Sequence, residues 1–332
     1  MDIFDAQSAK PMLIGVEGEP FDSAEYLFEL KMDGERCLAY LGHDRTVLVN
    51  RRGRPLGTLF PELAELHRQT GNRCIIDGEI IAGTGGKSDF ESIKKRNLIK
   101  NRLTIQRLSR ETPAVFVALD ILYLDREQVT SLPLHRRKEL LRAAIGENSA
   151  LAVVRSVDEH GTRLFEAVRK RGLEGIVGKR KDSVYRMGER TSDWVKIKNW
   201  LEDDFLVCGY IVSANPRTHV ASIVLGQYNA SGEVAYKGRV ALGLKRREFG
   251  LVARQPGAGS HPFAESPPKE TAGAVWLRPS LVCTVGFMCW TESLHLRQPH
   301  FKGMRPDKSA AEVREAGGAG NTKGKTCAAV SL

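Results

Sequence analysis

Residues 26–41, YLFELKMDGERCLAYL, place two apolar, alternating runs on either side of six residues that carry four charges. That pattern restricts the fold. Each run wants to be a buried strand, and the charges between must either face water in a turn or gather around a ligand. Alternation puts Leu27, Glu29 and Lys31 on one face of the first run, with Tyr26, Phe28 and Leu30 on the other. Asp33-Gly34 is a turn signal, so the spacing predicts a hairpin with Lys31 at its mouth. A further partner strand follows in TVLVNRRGRPL (46–56), with Gly53 in the next turn.

The same patterning continues to about residue 200. PELAELHRQ (61–69) predicts a helix, and CIIDGEIIAG (74–83) a strand that carries Asp77 and Glu79 on one face. Ser88 and Glu91 have capping-box spacing ahead of a short helix. VFVALDILYL (115–124) is a strand; 134–145 and 161–171 are amphipathic helices, the second with Gly172 as its C-cap. LEGIVGK (173–179) and DWVKIKNW (193–200) complete an α+β unit. From about 202 the texture changes to short β-rich runs between Gly, Pro and Asn turns, which predicts a small barrel or sandwich. Residues 254–270 are expected to be an exposed loop. A chain of 332 residues fits two domains, 1–200 and 201–313, with 314–332 as a disordered tail.

Composition narrows the partners. Fifty basic residues against 40 acidic give a net charge of +10, which favours a polyanion. No C-x-x-C pair occurs among the six cysteines, so no zinc framework is expected; reduced, mostly buried thiols of a cytosolic protein are. The N-terminus lacks the basic and apolar regions of a signal peptide, and no apolar run approaches the ~20 residues of a membrane span. No membrane partner is expected.

Charge within buried strands carries most of the functional information. A lysine amine attacks an electrophile only when neutral, and burial beside cations or a metal lowers its pKa. Lys31 at a strand end is held for such a role, with Asp33 and Arg36 beside it. IIDGEII, LEGIVGK and DWVKIKN each place charge in or beside an otherwise buried strand, at a cost of several kcal/mol unless paired or metal-bound. A core salt bridge explains any one of them. Together they offer Glu79 and Glu174 to a hydroxyl or divalent cation and Lys196 and Lys198 to phosphates, the equipment of phosphoryl transfer. GTGGKS (83–88) is no phosphate-binding P-loop, because that pattern needs glycine where Ile81 stands. Short basic clusters (94–96, 136–138, 169–171, 179–181, 245–247) are expected to be solvated faces in at least half the cases. The rest would contact the phosphates of a polyanion.

The ordered set KMDGER, NRRG, DGE, ALDILYLD, EGIVGK and WVKIK resembles the covalent nucleotidyltransferases: ATP-dependent DNA ligases, RNA ligases and capping enzymes. RQPHFKGMRPDK (297–308) looks like the final motif of the DNA ligases, and PMLIG through Lys308 resembles the ligase module of bacterial end-joining ligases. The resemblance implies a nucleotidyltransferase domain (ATP-grasp-like, with mixed antiparallel sheets) followed by an OB-fold β-barrel.

It also implies roles. Lys31 would take AMP from ATP, and Lys196 and Lys198 would stabilise the α-phosphate. Glu29 would help read adenine; Arg36 and Glu79 would contact the AMP phosphate and ribose. Arg51 would hold a phosphate, and Arg190 would lie near the nucleotide. Glu174, with Glu79, would bind Mg²⁺ or Mn²⁺. Arg297, Arg305, Asp307 and Lys308 would orient pyrophosphate as the second domain closes. The expected partners are nicked or broken duplex DNA, Ku, and polymerase and nuclease proteins on separate chains; the protein would act as a monomer in the bacterial cytosol or nucleoid. The sequence departs from the family at Leu119, where an aromatic usually stacks on adenine, and at Asn50 and Pro306. An RNA ligase, a capping enzyme and a non-catalytic DNA-binding homologue are the alternatives.

Overall fold

The computed structural model describes residues 2–82, 87–88, 90–213, 222–291, 293–315 and 330–331. The chain divides into two compact units, Met1–Asn199 with Ala328–Leu332, and Trp200–Cys327. Among the described residues no helix is long and apolar enough to cross a membrane.

Two large sheets build most of the first unit. One runs in the order Leu13–Glu17, Arg190–Lys198, Gly175–Arg180, Ser23–Leu30, Ser156–Glu159; the other runs Thr46–Asn50, Glu35–Leu41, Cys74–Ala82, Ala114–Leu124, Glu127–Gln128. The expected hairpin around Lys31 is therefore absent. Ser23–Leu30 pairs with Gly175–Arg180 and Ser156–Glu159, whereas Glu35–Leu41 pairs with Thr46–Asn50 and Cys74–Ala82. Residues 31–34 cross from one sheet to the other. The physical reason is two-sided burial, which demands a neighbour on each edge. Phe28 packs outward with Val168, Ile176 and Ile197, while Leu38 and Tyr40 pack inward with Val177 and Trp194. Gly34 lets the crossing pass close to its neighbour, since a Cβ there would lie 2.1 Å from the Ile80 carbonyl oxygen.

The strand alternation now has a meaning. Phe28, Ile176, Val195 and Ile197 point outward, so Glu29, Lys31, Val177, Lys179, Trp194, Lys196 and Lys198 take the opposite face. The helices Leu134–Ala144 and Gly161–Lys170 form as expected, and Gly172 ends the second with φ 66°. Residues 61–69 instead form two 3₁₀ turns, Pro61–Leu63 and Leu66–Gln69, neither with a side-chain cap. The helix Arg102–Glu111 was not foreseen. The Phe90–Leu98 helix is present, but the side chains proposed to cap it, and residues 83–86 of GTGGKS, lie outside the described residues.

The second unit carries an antiparallel sheet in the order Val234–Val240, Ser222–Tyr228, Leu201–Ile211, Val282–Phe287, His300–Met304. Phe205, Val207, Ile223, Leu225, Val285 and Phe287 fill its core, consistent with an OB-fold. A helix at Arg246–Ala253 was not foreseen either. In the expected loop, Phe263 is buried. The start of the expected tail is tied down: Glu315 donates its backbone N–H to the Tyr228 carbonyl and pairs with Lys237 at 2.6 Å. Residues 316–329 and 332 of that tail lie outside the described residues. Cys37, Cys74, Cys208 and Cys283 are free and buried.

Candidate active site

A cleft opens where residues 31–34 leave the first sheet. Its apolar walls are Ile14, Leu30, Met32, Leu119, Val177 and Trp194; its polar lining is Glu29, Lys31, Arg36, Glu79 and Lys179. The expected nucleophile stands at the end of its strand, with the Lys31 N–H donating to the Gly175 carbonyl at 2.9 Å. Its Nζ lies 2.6 Å from Glu174 Oε1. Burial alone would lower the lysine pKa, but Glu174, helped by Glu79 and Asp33, holds it above the ordinary value. This corrects the expectation of a depressed pKa: the protein on its own presents an ammonium.

Glu79 behaves in the opposite way. Burial pushes its carboxyl up to about 8, although Arg36 and Lys31 oppose the shift. Arg36 grips the fully buried Asp77 through Nε and Nη2, both at 2.5 Å. Tyr185 donates its hydroxyl to the same carboxylate at 2.6 Å and accepts the Met12 N–H at 2.8 Å. Arg36 is therefore held from behind while it faces the cleft.

Glu29 is 1% exposed and pairs with both Lys138 and Lys179, the latter at 2.7 Å. Burial would raise its pKa, but the two cations hold it below the ordinary value. Lys179 lies 4.4 Å from the centre of the Trp194 ring. Trp194 was overlooked in the sequence. It supplies an aromatic wall where Leu119 supplies an aliphatic one.

The remaining candidates divide. Lys196 and Lys198 share the Trp194 face and pair with Glu17 at 3.2 and 3.6 Å. Burial, with Lys196 and Lys31 nearby, lowers the Lys198 pKa despite Glu17. Arg190 donates to the Ile14 carbonyl at 2.6 Å, and Ile14 lines the cleft. Arg51 does not line it: this residue is exposed on a turn that Asn50 closes by accepting the Arg52 and Arg54 N–H groups. Arg297, Arg305, Asp307 and Lys308 belong to the second unit, where Arg305 and Lys308 pair with Asp204 at 3.0 and 2.8 Å.

Among the described residues, no group of three or more His, Cys, Asp or Glu gathers as a metal cage. A hard cation such as Mg²⁺ needs only one or two carboxylates when substrate phosphates complete its shell. Glu79 and Glu174, which both act on Lys31, suit that mode.

Comparisons with known proteins identify the family and the fold. A family model for the ATP dependent DNA ligase domain matches residues 12–198, and one for the ATP dependent DNA ligase C terminal region matches 216–308. The multifunctional non-homologous end joining DNA repair protein LigD of Mycobacterium tuberculosis is 29% identical over 321 residues. The match covers 94% of this chain and 40% of that protein, so the chain spans well under half of this relative's length. DNA ligase C1 of Mycolicibacterium smegmatis is 30% identical over 302 residues, 86% of this chain and 85% of the relative. The crystal structure of the ligase domain from M. tuberculosis LigD superposes with a TM-score of 0.51 at 28% identity, covering 95% of this chain and 100% of that one.

Proposed function

Because the chain belongs to the ATP-dependent DNA ligase family, we propose that it seals 5′-phosphate/3′-hydroxyl breaks in duplex DNA through an AMP-lysine intermediate on Lys31. One observation carries the assignment of the nucleophile: Lys31 Nζ projects into the cleft against Glu174, with Glu79 close enough to act on it.

In the first step the Lys31 amine attacks the ATP α-phosphate, a P–N bond forms and pyrophosphate leaves. AMP then passes to the DNA 5′-phosphate, and the 3′-hydroxyl attacks and expels AMP. The ammonium must first lose its proton, so the Lys31–Glu174 pair has to open. Glu174 and Glu79 would hold a divalent cation, Mg²⁺ or Mn²⁺, which would neutralise phosphate charge. Lys196 and Lys198 stabilise the charge that develops on the α-phosphate. Glu29 takes the purine amino group, Leu119 and Trp194 flank the base, and Arg36 and Glu79 meet the ribose and phosphate. Arg190 serves the rim through Ile14, Arg51 holds a DNA phosphate, and Arg297, Arg305, Asp307 and Lys308 hold pyrophosphate.

The name of the M. tuberculosis relative supports a place in end joining. There Ku and polymerase and nuclease activities would act with this chain, as a monomer in the bacterial cytosol. The test is incubation with α-labelled ATP and Mg²⁺ or Mn²⁺, beside Lys31→Ala, followed by nicked duplex. Label on wild type alone, then sealed product, is expected. A wild type that arrives unadenylated by intact mass and takes no label from ATP would overturn the proposal.

A further inference from the structure

We propose that Lys138 is a positioning residue that fixes the buried Glu29 carboxylate and the Leu119 carbonyl beneath the cleft, and thereby sets which purine the cleft accepts. The inference rests on the reading of this cleft as the ATP site.

Lys138 lies outside every short motif quoted above. It comes from the helix Leu134–Ala144 and is 2% exposed. Its Nζ donates to the Leu119 carbonyl at 2.6 Å and pairs with Glu29. Anchoring the helix does not require it. The preceding residue, Arg137, already grips Asp120 through two bonds of 2.9 Å and donates to the Ser183 carbonyl at 2.9 Å. An apolar side chain at 138 would be easier to bury than a second cation.

What Lys138 adds lies at the cleft. Two cations, Lys138 and Lys179, enclose one carboxylate that is 1% exposed. Glu29 is thereby kept as a full anion, which only accepts hydrogen bonds. Such a group favours an amino substituent on the base and repels a carbonyl oxygen. Lys138 also holds the backbone of Leu119, whose side chain lines the cleft. One side chain thus sets both the polar contact and the apolar wall that a base would meet.

The test compares lysyl-nucleotide formation from ATP and from inosine triphosphate, which carries a 6-oxo group in place of the amine. The proteins are wild type, Lys138→Gln, Lys138→Arg, Glu29→Gln and the Glu29→Gln/Lys138→Gln double variant. For Lys138→Gln we expect KM for ATP to rise about tenfold with kcat within about twofold, and the preference for ATP to fall by a similar factor. Lys138→Arg keeps the charge but not the geometry and should shift the preference about threefold. The double variant should discriminate no worse than Glu29→Gln alone, because Lys138 acts through Glu29. A folded Lys138→Gln with unchanged KM and unchanged preference overturns the proposal. So does a loss of thermal stability with the preference intact, which would mark a helix anchor. If Lys138→Gln does not fold, unchanged preference in Lys138→Arg overturns it instead. Failure of the ATP-site reading looks different: wild type would take neither nucleotide onto Lys31.

Discussion

Around the cleft, Glu29, Asp77, Asp120, Arg137, Lys138 and Lys179 are each at most 3% exposed and paired with one another or with Arg36. In the second unit, Arg305 and Lys308 also converge on one acid, Asp204, yet their side chains remain 38% and 28% exposed. The first network is part of a core, so the groups that would read the nucleotide also hold two sheets and a helix together. The second is a surface cluster, whose cations can change partners at little cost. Residues of equal standing in the sequence are therefore built for different duties: one set is preorganised, and the other is rearrangeable.

The sharpest way to break this comparison is to remove one member of each network. Arg137→Met leaves the Asp120 carboxylate buried and unpaired, which should cost about 3–5 kcal/mol in urea unfolding. Tyr185→Phe is milder. It removes a hydroxyl that donates to Asp77 and accepts from Met12, so a loss of about 1–3 kcal/mol is expected, with a higher KM for ATP as Arg36 loosens. If either variant unfolds with the wild-type midpoint, the first network is not the core element described above.

The division also explains what was legible in the sequence. Lys31, Glu79 and Glu174 could be placed together because Glu79 sits on a strand and the other two directly adjoin one, and the apolar neighbours of each strand declare its faces. The crossing at 31–34 could not, since a turn signal between two strands does not say whether they share a sheet. Trp194 is within reach of the sequence, because strand alternation puts it on the same face as Lys196 and Lys198. Lys138 and Tyr185 were out of reach, because their partners Glu29 and Asp77 lie far off in sequence and no local period links them. The basic clusters are mostly solvated, as expected. Arg96, Arg137, Lys138 and Lys179 within them are the exceptions, at most 3% exposed, and were out of reach for the same reason.

In the second unit the expected signs reverse: small changes in stability, larger ones in the first chemical step. Arg305→Ala should alter unfolding by less than about 1 kcal/mol, while adenylation of Lys31 slows by about tenfold, the size of one lost charge-assisted contact. A stability loss that matches the loss of Arg137 would erase the distinction between the units.

Asp204→Asn should give the smallest effect and the cleanest sign. Burial would raise the Asp204 pKa, but hydrogen bonds from Lys308 and Thr284 and the charges of Lys308 and Arg305 hold it below its ordinary 3.8. A carboxylate with a depressed pKa contributes stability that is fully present above the unfolded value and disappears as pH falls through the folded one. The wild type should thus exceed Asp204→Asn by less than about 1 kcal/mol at neutral pH, because the cations are partly solvated. That gap should stay constant down to about pH 4 and close below it, as read from urea midpoints across the range. Adenylation should be at least as fast in the variant, since Arg305 and Lys308 are released from their competing acid. A slower first step would mean that Asp204 aims these cations rather than storing them, and the second cluster would then be as preorganised as the first.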